Sequence, residues 1–167
     1  GGRLLPVRYA GPRVEDVARE LGDLRATGAE VLIVAGASAL DPLDPVFGAL
    51  ERVGARMDRH GAPAHPGSLL WIARWDAWPL VGMPSCGMFS EATTFDLVLP
   101  RLFTGERVGN LEVAALGHGG LLQLEGLAQV PQDQVVDSLI GEGFEHGAVV
   151  VRIAHHQRAI GALHHDE

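Results

Sequence analysis

Four consecutive apolar residues, Val31-Leu32-Ile33-Val34, run straight into Ala35-Gly36-Ala37-Ser38. A strand this apolar must be covered on both faces, the usual state of a parallel strand inside an α/β sheet. The small residues behind it allow a tight turn into a following helix. Around this run, strand-like and helix-like stretches alternate. Residues 4–9 read as a short strand. Residues 13–27 read as an amphipathic helix, with Val14, Val17, Leu21 and Leu24 on one face and Gly28 at its end. A second helix is predicted over 45–54, with Val46, Leu50 and Val53 inward, and a strand over 55–59. Residues 69–75 and 79–83 read as a hairpin, with Trp71, Trp75 and Trp78 near its turn. A long helix is predicted over 87–104, where Met88, Ala92, Phe95, Leu99 and Leu102 keep helical spacing and Pro100 is a kink or an early stop. The alternation predicts an α/β fold: a mainly parallel sheet with helices on both faces. Residues 31–34 should be its central strand, flanked by the strands at 4–9 and 79–83.

The character changes after Gly105. Gly117-His118-Gly119-Gly120 reads as a loop, 132–140 as a helix, and 149–153 as a strand paired with 159–163. The expected division is an α/β domain over 1–108 and a C-terminal extension of unknown role over 109–167, with residues 123–167 packing as a separate small element. All 13 basic residues are arginine and the net charge is −8, which argues against nucleic acid as the main partner. A single cysteine, Cys86, excludes an intrachain disulfide and fits a cytoplasmic protein. No apolar run approaches the ~20 residues of a membrane span. The sequence opens almost directly on a strand-like run, as expected of a fragment.

Chemistry gathers at two strand ends. In open sheets ligands sit outside the carboxyl ends of the strands. At the first end, Gly36, Ala37 and Ser38 allow close backbone approach, and free amides entering the next helix suit a phosphate. Asp41 and Asp44 are candidate Mg²⁺ ligands beside it. The second end is Gly82-Met83-Pro84-Ser85-Cys86-Gly87, and between the two lies His65-Pro66-Gly67-Ser68.

In this order and spacing the three stretches resemble the molybdopterin-binding domain of molybdenum-cofactor biosynthesis proteins. That family's pattern is T-G-G-x-S-x-G-x-x-D, then a P-G loop, then L-P-G-N-P opening a helix. Gly36 and Asp44 match the first motif, Pro66 and Gly67 the second, Gly82 and Pro84 the third, and Phe95 and Pro100 resemble positions of the final helix. The similarity covers roughly residues 4–105, with the family's first strand and helix expected upstream of Gly1. Ala35, Ala37 and Ala39 replace the Thr, second Gly and Ser of the first motif. His65 stands where a Lys often precedes the P-G, and Ser85-Cys86-Gly87 replace Gly-Asn-Pro.

The resemblance implies binding of molybdopterin, a phosphorylated pterin, with Mg²⁺ as a companion ion, and a homo-oligomer. Relatives adenylylate molybdopterin or insert molybdate into the adenylylated pterin. The resemblance puts Gly36, Ala37, Ser38, Pro66, Gly67, Pro84, Ser85, Cys86 and Gly87 around the ligand and Asp44 in the catalytic position, and Asp41 and Asp44 remain the candidate metal ligands of the strand end.

Each feature also has a plainer role. Gly36-Ala37 can be a tight turn, Asp44 before Pro45 a helix N-cap, Pro66-Gly67 an ordinary turn, Cys86 a small buried apolar residue, and the tryptophans core or subunit interface. Two other functions stay open. A non-catalytic cofactor carrier or sensor fits the altered first motif. A Cys86-dependent hydrolase would take His65 or His118 as base. Metal binding by His155, His156, His164 and His165 is a further candidate.

Overall fold

The computed structural model describes residues 2–5, 7–117 and 149–155. The expectations for 118–120, 132–140 and 159–163, and for His118, His156, His164 and His165, lie outside these residues. The chain runs β1 (Gly2–Leu4), β2 (Arg8–Tyr9), α1 (Val14–Ala26), β3 (Val31–Ala35), α2 (Pro45–Arg52), β4 (Arg56–His60), β5 (Trp71–Trp75) and β6 (Trp78–Gly82). A 3₁₀ turn (Ser85–Met88), α3 (Thr94–Phe103), α4 (Asn110–Ala114), a second 3₁₀ turn (Ala115–Gly117) and β7 (Val149–His155) follow.

The strands form one sheet in the order β1-β7-β3-β6-β5-β4, with β2 also on β7. Among the described residues only β3 and β6 are parallel. Every other described pair is antiparallel. The mainly parallel sheet expected from the sequence is therefore corrected to a mixed, mostly antiparallel one. Two causes are local. The two-residue connection Asp76-Ala77 forces β5 and β6 antiparallel. The loop 61–70 likewise returns β5 against β4.

The third cause is distant in sequence. β7 inserts between β3 and the N-terminal strands, pairing Val149 with Ala35 and Ile153 with Val31. β1 and β2 thus meet β7 and not β3, while 31–34 is interior, with β6 as one neighbour. Residues 149–155, within the stretch expected to pack separately, form a strand of the main sheet.

Side-chain alternation along β3 splits the core. Val31, Ile33 and Ala35 pack with Phe95, Val98, Leu102 and Val113 from α3 and α4. Leu32 and Val34 pack with Val17, Leu21, Val46 and Leu50 from α1 and α2. The predicted helix over 87–104 is shorter, because Thr93 is extended and forms a capping box with Asp96 at the start of α3. Pro100 sits inside α3, which ends three residues later. Among the described residues no helix is long and apolar enough to cross a membrane.

Ion pairs brace α1. Asp16 accepts from Arg13 Nε at 2.9 Å and from Arg19 Nη1 at 3.2 Å. Hydrogen bonding from Arg13 holds the Asp16 carboxyl below its ordinary 3.8, against the opposing effect of burial. Arg101 does the same for Glu106, and the amides of Glu112 itself and Gly109 for Glu112. Groups depressed in the fold stabilise it above their unfolded pKa and lose that contribution as pH falls through the folded value. Denaturant midpoints should hold at neutral pH and fall once pH drops below about 4.5. Asp16→Asn should flatten part of that acid limb; an unchanged limb would remove Asp16 from it.

Candidate functional site

The parallel β3–β6 pair sets the geometry. Met83 N donates to Val34 O at 2.8 Å just past the β3–β6 ladder, so the carboxyl ends of β3 and β6 adjoin. There residues 36–40 and 83–85, with Leu69, line a cleft of about 350 Å³. The two strand ends singled out in the sequence, 47 positions apart from Gly36 to Met83, thus meet at one place.

Gly36 leaves β3 with φ +86°, a conformation open to glycine and costly for a β-branched residue. Ala37 and Ser38 follow it along the cleft, and Pro84 and Ser85 line it from the other strand end. The Ser38 and Ser85 hydroxyls make no hydrogen bond among the described residues. Cys86 and Gly87 belong to the 3₁₀ turn that Ser85 opens and do not line the cleft. Cys86 is half-buried and hydrogen-bonds to no described histidine, His65 included. Leu40, 77% exposed, lies at the cleft rim, and Leu43 and Phe89 follow the two strand ends as further exposed apolar residues.

Asp44 is the N-cap of α2. Its Oδ1 accepts from Val46 N at 2.9 Å, and Pro45 occupies the first helical position. Its Oδ2 accepts from Ser38 N at 2.7 Å, so one carboxylate caps the helix and pins the cleft wall. Asp41 turns Oδ1 to Leu43 N at 2.9 Å. Among the described residues no three His, Cys, Asp or Glu side chains gather as a metal-ligand set.

Asn caps helices about as well as Asp, but its amide has one acceptor oxygen where Asp44 uses two. Asp44→Asn should therefore keep α2 and release Ser38 N, costing about 1 kcal/mol. Amide exchange at Ser38 should accelerate while Val46 stays protected. Unchanged exchange at Ser38 would show that the second bond is not formed in solution.

Pro66 and Gly67 stand elsewhere. A cis bond joins His65 to Pro66. Pro66 O accepts from Thr94 N at 3.0 Å, and Gly67 O accepts from the buried Thr94 hydroxyl at 2.7 Å. A Cβ on Gly67 would lie 2.6 Å from Thr94 N. This pair fastens the start of α3, and it is Leu69, two residues on, that reaches the cleft. Gly82 has a packing reason too, since a Cβ there would run into the Trp71 indole across the β5–β6 ladder.

The tryptophans separate likewise. Trp71 is 1% exposed and belongs to the core. Trp75 and Trp78 face each other across the hairpin, half-buried, with the Arg25 guanidinium 4.3 Å from the first ring and 5.4 Å from the second. Sequence reasoning missed His60, whose Nε2 lies 2.8 Å from Ala39 O in the cleft loop; nothing in the spacing of residues pointed to it.

No known protein-family model, curated protein or solved structure significantly matches this chain.

Proposed function

We propose that this chain binds a small phosphorylated pterin of the molybdopterin kind in the cleft between the β3 and β6 strand ends, serving molybdenum-cofactor biosynthesis or handling in the cytoplasm. The observation that carries the reading is the meeting of the two motif-bearing strand ends at one cleft. Its volume of about 350 Å³ falls within the ~300–1,000 Å³ of small-molecule sites. The positive φ at Gly36 keeps a side chain out of the wall where a ligand would approach. Ser38 and Ser85, one from each strand end, line the cleft and carry hydroxyls suited to phosphate oxygens. The pterin identity rests on the motif resemblance.

Asp44 favours a holder over a catalyst. Both of its oxygens already accept backbone amides, so its evident work is to shape the wall. This supports the carrier or sensor reading within the same ligand class, in which the chain's residues bind and orient the pterin and catalyse nothing.

Mass spectrometry should find a pterin in protein purified from a host that makes molybdopterin, and none in protein from a host lacking that pathway. Calorimetry with the phosphate monoester of 6-hydroxymethylpterin should show saturable binding. A protein that carries no pterin, and binds the ester no better than inorganic phosphate, would end this reading.

A further inference from the structure

β6 runs antiparallel to β5 and β5 antiparallel to β4, so β3, β6 and β4 all point the same way and end at the same edge of the sheet. His60 is the last residue of β4. Three inter-strand steps separate β3 from β4, about 14 Å at ~4.8 Å each. The loop after β3 nevertheless reaches His60, because His60 Nε2 lies 2.8 Å from Ala39 O. The loop therefore arches over the ends of β6 and β5, and the cleft lies under it, between 36–40 on one side and Leu69 and 83–85 on the other.

An arch needs a support at each side. On the α2 side it is Asp44, through Ser38 N. We infer that His60 is the support on the far side, a positioning residue that holds the wall of the ligand cleft by donating from Nε2–H to the Ala39 carbonyl. A carbonyl only accepts, so this bond places a proton on Nε2. The ring itself is held from below. His60 packs on Phe47 with centroids 5.2 Å apart, and Phe47 packs edge-on against the buried Trp71 at 5.9 Å. The series Trp71, Phe47, His60, Ala39 thus ties the cleft wall to the core. This assignment deepens the binding reading above and rests on it for its effect on ligand.

Two variants test it. His60→Phe keeps a ring for Phe47 and deletes the donor. His60→Gln restores a donor at similar reach, since the Gln side-chain amide can stand in for Nε2–H. In His60→Phe the hydrogen-bonded amides of Ser38, Asp41, Leu43 and Asp44 should exchange faster than in the parent. Affinity for the phosphate monoester of 6-hydroxymethylpterin should fall about fivefold, the equivalent of one net hydrogen bond of about 1 kcal/mol. The denaturant midpoint should barely move, because His60 is exposed. His60→Gln should recover both loop protection and affinity. Parental loop exchange and affinity in His60→Phe would overturn the assignment, as would a His60→Gln protein no better than His60→Phe. If the parent itself does not bind the ester, the binding reading falls and loop exchange alone decides the tether.

Discussion

Gly82→Ala is expected to destabilise the protein by about 3 kcal/mol, the upper end of what overpacking costs and a large share of a domain's ~5–15 kcal/mol. Gly82 pairs in register with Trp71 on the neighbouring strand. The indole lies across the position a Cβ would take, and Trp71 is 1% exposed, with Phe47 against it. The ring has nowhere to retreat, so either the β5–β6 ladder opens or the core beneath it shifts. Urea denaturation should show a lower midpoint with an unchanged slope. Trp71→Leu removes the obstacle at the cost of a cavity. The double variant should therefore be more stable than the sum of the two single losses, by 1 kcal/mol or about that. Strict additivity would mean that the ring does not rest on Gly82.

Gly82 also shows that a residue legible as a motif position can carry a packing reason the motif does not state. As a motif residue it marks the end of β6, and it does stand there. Its reason is a tryptophan eleven positions earlier, which no local pattern announces. The apolar run at 31–34 behaves similarly. It states truly that both faces of β3 are covered, since Leu32, Ile33 and Val34 are fully buried. Coverage is blind to strand direction, however, and an antiparallel strand arriving from residue 149 covers an edge of β3 as well as a parallel one would. Direction was legible in one place. A two-residue connection between 75 and 78 allows only a hairpin, and Asp76 takes the positive φ such a turn requires.

Local chemistry was legible wherever it is short-range. Asp44 before Pro45 reads as an N-cap and is one. Thr93-Thr94-Phe95-Asp96 carries the spacing of a capping box, which would have started α3 at 94 instead of extending it back to 87. The site divides along the same line. The two strand ends were visible as small-residue turns, but their adjacency depends on β3 and β6 being sheet neighbours. His60 depends on a third strand ending at the same edge. Pro66 and Gly67, expected around the ligand, hold the start of α3, because the atoms they meet belong to Thr94, 27 positions from Gly67.

The second large effect is expected at Gly36. Its φ of +86° lies where a β-branched residue is strained by roughly 1–3 kcal/mol. Gly36→Val must therefore either bear that strain in place or relax the turn, and both move the wall of the cleft. If the turn holds, the valine methyls stand in or beside a space of about 350 Å³; if it relaxes, Ala37 and Ser38 leave their positions opposite Ser85. Affinity for the phosphate monoester of 6-hydroxymethylpterin should drop by more than about tenfold on either course, a loss beyond ~1.4 kcal/mol. Gly36→Ala separates the two courses. Alanine meets the same backbone restriction with a single methyl, so an equal loss in both variants points to the turn, and a graded loss points to occupied space. The core residues of β3 precede Gly36 and are fully buried, so circular dichroism and a urea-derived stability within about 3 kcal/mol of the parent should confirm a folded protein. Parental affinity in a folded Gly36→Val protein would take the β3 end out of the ligand site and leave the 83–85 wall without its opposing partner.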